Sequence, residues 1–193
     1  MDTKKEIIMA MKEVFSEKGY MASMADVAKI VGIKVPSIYS HYKSKDEIIY
    51  LCMQDEFEMV KAYYKSNMVI TSEDSIESIL EHMFFAYIEY FKDLDKLRFW
   101  NNFDLIPQLE LRQKGMDAYR VYMSSFLDTI KELFDKGMAL GEFDGKSANQ
   151  MYLMYVVTIQ GILRGMLKFE GIGLPTEEYY KNIWNVLRGT FKT

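Results

Sequence analysis

Apolar residues recur along this chain at the spacing of α-helices. Ile7, Ile8, Met11, Val14 and Phe15 stand at i, i+1, i+4, i+7 and i+8, one face of a helix over about 4–18. Gly19 suits the left-handed position just past its end. Ser23 and Asp26 are spaced as a capping box, and Val27, Ala28 and Val31 mark the inner face of a short second helix that Gly32 ends. A third helix opens near Val35 and carries Ile38 and Tyr42 inward. Ser44 and Glu47 form another capping box, launching a long fourth helix through Ile48, Ile49, Cys52, Met59 and Tyr63. Two short helices joined by a four-residue, Gly-containing turn, with a third packed across them, predict a helix-turn-helix module.

The pattern stays helical to the end. Residues 74–92 hold Ile76, Ile79, Leu80, Met83, Phe84, Tyr87, Ile88 and Phe91 at helical spacing. A shorter helix covers about 94–103. A long one starts near Pro107, where a first helical turn tolerates proline, and runs to Lys136. Residues 137–146 form a Gly-rich connector, and a strongly apolar helix spans 147–169 before stopping at EGIGLP. The last helix opens at Thr176, with Glu177 and Glu178 at its positive end, and continues to Gly189. There is no internal repeat and no low-complexity tract.

Composition agrees with a helical globular protein. The 193 residues are 49% hydrophobic and 27% charged, with only three prolines. No apolar run is long enough to cross a membrane, and the charged, amphipathic start is unlike a signal peptide. A lone cysteine, Cys52, rules out a disulfide within the chain, so a cytoplasmic location is expected. The net charge of −4 hides an asymmetry: residues 1–50 hold eight lysines against seven acids, and the remainder is acidic. That permits a DNA-facing start on an acidic body.

In a helix-turn-helix, the second helix enters the major groove and offers its N-terminal residues to base edges. Here these are Lys34, Val35, Pro36, Ser37 and Ser40. Pro36 falls in the first turn, where a missing N–H costs little. Tyr39, His41 and Lys45 flank that helix with hydrogen-bonding groups suited to phosphates. Taken singly, each also reads as an ordinary surface or half-buried residue; together, after a helix-Gly-helix of this length, they favour DNA.

Residues 7–52 resemble the DNA-binding domain of the TetR family of transcriptional regulators. The resemblance rests on Phe15, Lys18-Gly19-Tyr20, Ser23, Asp26-Val27-Ala28, Gly32, Ile38-Tyr39, His41-Tyr42 and Lys43-Ser44-Lys45 in this order and spacing. It implies an all-α homodimer that binds double-stranded palindromic operator DNA, usually as a repressor, and releases it when a small molecule occupies the larger domain. It also implies phosphate contacts by Tyr39, His41 and Lys45, an interface role for Ser23, and sequence readout by 34–37 and 40. The chain departs from the family pattern in having Lys34-Val35 where Ser then Lys is common, so the usual N-cap hydroxyl is missing. Pro36 takes a position often held by Gly. An apolar contact from Val35 to a thymine methyl is the natural guess.

The expected organisation is therefore all-α: a three-helix helix-turn-helix domain at 1–47, then a helical effector-binding and dimerisation domain at 48–193, about nine helices in total. In the next-to-last helix, Leu153, Val157, Gly161 and Gly165 recur every four residues. By resemblance this row is assigned to the dimer contact, with packing inside one subunit as the alternative. Met151, Tyr155, Thr158 and Ile162 lie on another face. Phe84, Tyr87, Trp100, Phe103, Tyr119, Met123, Tyr155 and Thr158 are candidates to line a cavity for a small apolar or aromatic effector, although such stripes also build plain core. His82 has no second His or Cys near it in sequence, and Arg98, Arg112 and Arg120 suit either an anionic effector or surface ion pairs.

Other function classes fit less well. No G-x-S-x-G, P-loop, dinucleotide-binding glycines or metal-spaced histidines occur, so no enzyme and no cofactor are expected. A helical adaptor acting through protein contacts is the alternative, separable by the steep salt dependence that DNA binding demands.

Overall fold

The computed structural model describes residues 2–67, 71, 73–169, 172–173 and 176–192. Among them are nine α-helices, one 3₁₀ turn and no strand. The expected stop at 170–175 lies mostly outside the described residues. The described residues divide into two compact units.

The first unit takes the chain up to Ala62 together with Asp93–Tyr122. It contains α1 (Thr3–Lys18), the 3₁₀ turn Gly19–Met21, α2 (Met24–Val31), α3 (Val35–Tyr39), the start of α4 (Lys45–Asn67), α6 (Leu94–Asp104) and the start of α7 (Leu109–Ala139). The predicted stripe on α1 is its buried face: Ile7, Met11 and Phe15 are fully enclosed and Val14 nearly so. Each such side chain contributes roughly 1.5–3 kcal/mol by leaving water. They meet Val27, Ile38, Ile48, Ile49, Cys52, Phe99 and Phe103 in one core.

Polar cross-links then fix how α1 lies in that core. The Asn102 amide, from α6, donates to the carbonyls of Phe15 and Ser16 at 2.9 Å each in the last turn of α1, where Phe15 O also accepts from Gly19 N–H. Ser16 Oγ donates to Asp95 O at 2.9 Å, and Tyr42 OH donates to Lys4 O at 3.0 Å. Lys12 reaches α4, with Nζ 2.5 Å from Asp55 and 2.6 Å from buried Glu56. Burial disfavours the Lys12 charge, but the two carboxylates outweigh that and hold its pKa above the ordinary value.

The second unit takes Tyr63–Lys92 and the chain from Met123 onward. It holds α5 (Ile76–Phe91), the rest of α7, α8 (Ala148–Phe169) and α9 (Glu177–Arg188). Its centre is aromatic: Trp184 lies 5.2 Å from Phe84 between ring centroids, and Tyr155 donates its hydroxyl to Leu80 O at 2.8 Å. Thr176 caps α9 as expected.

Several local expectations are corrected. The turn between α2 and α3 is three residues, 32–34, because Gly32 closes α2 in the left-handed conformation at once. Gly19 has a positive φ of 56° but ψ of −141°, so it leads into the 3₁₀ turn rather than forming a left-handed cap. Met59 is exposed. Pro107 precedes α7 by two residues, and α7 runs through Gly137 to Ala139. Gly137 is not connector: it is the gap into which the Phe143 ring folds back.

Gly115 plays the same part between α6 and α7. A Cβ built there would lie 1.9 Å from Phe103 and 3.0 Å from Met53 Sδ. Gly115→Ala gains about 1 kcal/mol in helix propensity but displaces a buried ring, at roughly 1–3 kcal/mol. We expect net destabilisation of about 1 kcal/mol, read as a lowered urea midpoint by circular dichroism; a raised midpoint would show that the ring yields freely.

Candidate nucleic-acid interface

Helix α3 is five residues long and has no side-chain cap at Lys34, whose backbone is extended at φ −88° and ψ 147°. Pro36 in its first turn needs no N–H partner there and arrives with a helical φ. The turn is closed by Ser37 N–H to Lys34 O at 2.9 Å and Ser40 N–H to Pro36 O at 3.2 Å. Ile38 is completely buried and Tyr42 nearly so. Those two anchors turn the opposite side outward, so Lys34, Pro36, Ser37, Tyr39, Ser40 and His41 are all exposed. Val35 is half-buried against the core, leaving only part of its surface for a base. Ser40 Oγ is used internally, donating to Ser37 O at 2.7 Å.

The other two expected contact residues are engaged within the protein. Ser23 caps α2: its Oγ accepts from Asp26 N–H at 3.1 Å and donates to the Asp26 carboxylate at 2.6 Å. That carboxylate accepts from Ser23 N–H at 3.1 Å, completing the box predicted from sequence. Hydrogen bonds from Lys18, then from Ser23, hold the Asp26 pKa down at about 2. Lys45 directs its ammonium at Tyr20 O, 2.7 Å away, and Ala22 O, 3.2 Å away, while sitting 3.8 Å above the Tyr20 ring.

Charge on this face is more lopsided than the first fifty residues suggest. Between Asp26 and Asp46 the chain holds Lys29, Lys34, Lys43 and Lys45 and no acid. Averaging over residues 1–50 dilutes this with the acids of α1. Lys29, Lys34 and Lys43 are exposed. A short helix with an exposed side, flanked by exposed lysines, suits a polyanion.

Residues proposed for an effector fall into two sets. Phe84, Tyr87, Met123, Tyr155 and Thr158 belong to the second unit, where Phe84 and Tyr155 are fully buried. Tyr87 stacks on Phe126 with centroids 5.7 Å apart. Trp100, Phe103 and Tyr119 belong to the first unit. There Trp100 and Tyr122 pack against Phe57 at 4.9 and 4.8 Å, and Tyr119 lies 6.0 Å from Trp100. Arg98 pairs with Asp95, Arg120 with Asp117 at 2.9 Å, and Arg112 donates to Ile106 O at 3.4 Å. No cluster of potential metal ligands occurs among the described residues.

The α8 row stays on the surface of the protomer. Leu153 is 50% exposed and Val157 67% exposed, and among the described residues nothing beyond the helix's own backbone lies within 4 Å of a Cβ built on Gly161. A Cβ built on Gly165 would meet the Phe169 ring at 3.7 Å. Beside this row a shallow groove of about 350 Å³ is lined by Met154, Thr158, Tyr179, Ile183 and Val186 of α8 and α9. The Lys12–Glu56 pair and the Asn102 clamp escaped sequence reasoning, because their partners lie 44 and 86 or more residues away.

Residues 7–50 match the model of the bacterial regulatory proteins of the tetR family. The Tn10 TetC protein of Escherichia coli is 28% identical over 111 residues, covering 56% of this chain and 51% of that protein. The HTH-type transcriptional activator FasR of Mycolicibacterium smegmatis is 26% identical over 112 residues, again 56% of this chain and 51% of its own. These matches thus span about half the length of the curated relatives. The transcriptional regulator FadR of Bacillus subtilis, solved in complex with stearoyl-CoA, superposes with a TM-score of 0.73 at 18% identity over 96% of this chain and 98% of its own. The fold extends over nearly the whole length. Over residues 7–50 the chain is therefore similar to the bacterial regulatory proteins of the tetR family, and beyond them it shares their fold.

Proposed function

We propose that this protein is a ligand-responsive transcriptional repressor: a homodimer that binds operator DNA through α3 and releases it when a small apolar or aromatic molecule binds the helical body. The observation that carries this reading is the exposed side of α3, raised on buried Ile38 and Tyr42 within a stretch of four lysines and no acid. Lys34, Pro36, Ser37 and Ser40 meet base edges, with Val35 contributing its exposed part. Tyr39 and His41 grip the phosphates that flank them. Residues 1–47 form the DNA-binding domain and 48–193 the effector and dimerisation domain. Such a protein acts in the cytoplasm, where its DNA is; no described helix is long and apolar enough to cross a membrane.

The effector reading rests on the aromatic and methionine side chains around Phe84, Tyr87, Met123 and Tyr155, whose chemistry suits apolar ligands. It is supported by the similarly folded FadR, which holds stearoyl-CoA. The dimer reading rests on Leu153, Val157 and Val186, three exposed aliphatic residues on α8 and α9. An uncovered apolar face of this kind suits a second copy, and Gly161 allows its helix to come close.

A gel-shift titration against the DNA upstream of the protein's own gene tests the central claim. We expect sequence-selective binding that weakens steeply with salt; salt-insensitive or absent binding would favour the adaptor reading. Tyr39→Ala should weaken specific and non-specific duplexes alike, by about tenfold for one lost phosphate hydrogen bond, with the dimer intact. Unchanged affinity would remove Tyr39 from the interface. Val157→Glu, at a solvent-exposed site, should leave the helical content unchanged and weaken self-association at least about tenfold in sedimentation velocity, because an unpaired carboxylate would be buried. A variant that still dimerises normally places the contact elsewhere.

A further inference from the structure

Lys45 and Asp46 are consecutive residues in the first turn of α4, and they hold Tyr20 from two sides. The Lys45 ammonium lies 3.8 Å above the Tyr20 ring and donates to Tyr20 O and Ala22 O at 2.7 and 3.2 Å. The Asp46 carboxylate accepts the Tyr20 hydroxyl at 2.7 Å. Burial, then the Asp46 carboxylate, raises the Tyr20 pKa to about 12, so the phenol remains a donor throughout the physiological range. Tyr20 sits in the 3₁₀ turn that joins α1 to α2, and Ala22 directly precedes the α2 cap Ser23. The first turn of α4 is thereby fastened to the start of α2.

Helix α3 lies in the chain between these two fastened points. It has one turn and no side-chain cap, so its direction follows from where α2 ends and α4 begins. An ammonium has three donors. Two of those of Lys45 are already spent on backbone carbonyls, and its charge rests on a ring face.

We propose that Lys45 is a positioning residue for DNA binding rather than a phosphate grip: with Tyr20 and Asp46 it forms a staple that sets the aim of α3. The proposal rests on the DNA-binding reading above and gives Lys45 a different task within it. A phosphate grip acts through charge at the DNA and is independent of Tyr20. A staple acts through Tyr20 and adds no counterion release of its own.

The test compares Lys45→Met, Tyr20→Phe and the unaltered full-length protein on a mixed-sequence DNA duplex and on the upstream fragment. Affinity is measured across a salt series, at a temperature where circular dichroism finds every protein fully folded. Tyr20→Phe removes only the hydroxyl that reaches Asp46 and changes no charge. The staple predicts that both variants bind the upstream fragment roughly three- to tenfold more weakly, with the slope of log affinity against log salt unchanged. Weakened binding by fully folded protein separates a positioning role from a merely stabilising one. The proposal is overturned if Lys45→Met flattens the slope by about 0.9 per subunit, the signature of one lost phosphate contact. It is equally overturned if Tyr20→Phe binds like the unaltered protein, and that variant decides alone should Lys45→Met fail to fold. Absence of salt-sensitive binding by the unaltered protein would instead remove the DNA-binding reading itself, and the staple's task with it.

Discussion

A five-residue helix cannot hold itself together. Isolated helices much shorter than about 12–15 residues are marginal in water, and α3 lacks even a capping side chain. Its stability is borrowed. Ile38 supplies the apolar anchor, Pro36 removes some of the entropy to be lost, and the neighbouring elements fix the two points between which the turn is strung. Much of the first unit can be understood as answering that one need.

The answer is built in layers of decreasing generality. Apolar packing brings α1, α2, α4 and α6 together, but burial by itself is non-directional. Directed contacts then choose one arrangement. Asn102 ties α6 to carbonyls in the last turn of α1, Tyr42 ties the start of α1 to the segment between α3 and α4, and Lys12 ties α1 to α4. Each adds a direction that packing alone lacks. Lys12 answers two carboxylates at once, Asp55 and Glu56, so the tie from α1 to α4 is shared between them.

Periodicity made the helices legible, and most of the core with them, since a residue's place on a 3.6-residue repeat decides which face it shares. Helix ends were readable where a side chain does the capping, as at Ser23 and Thr176. Gly32 does end α2, but Gly137 does not end α7 and Pro107 lies before its first turn. Gly137 and Gly115 serve neighbouring phenylalanine rings, and no local rule separates a glycine that stops a helix from one that makes room on it. The exposed face of α3 was legible because it is local. The setting of Lys45 was not, because its partners are main-chain oxygens some two dozen residues back, and a carbonyl leaves no mark in a sequence.

Cys52 illustrates what such a core does to reactivity. Its thiol is completely enclosed and donates to Ile8 O at 3.4 Å, and burial pushes its pKa far up. Attack on peroxides or disulfides needs an accessible thiolate, and this sulfur is neither ionised nor within reach. It fills space as a small apolar group. The chain's one sulfhydryl is thus withheld from oxidants while the domain stays folded.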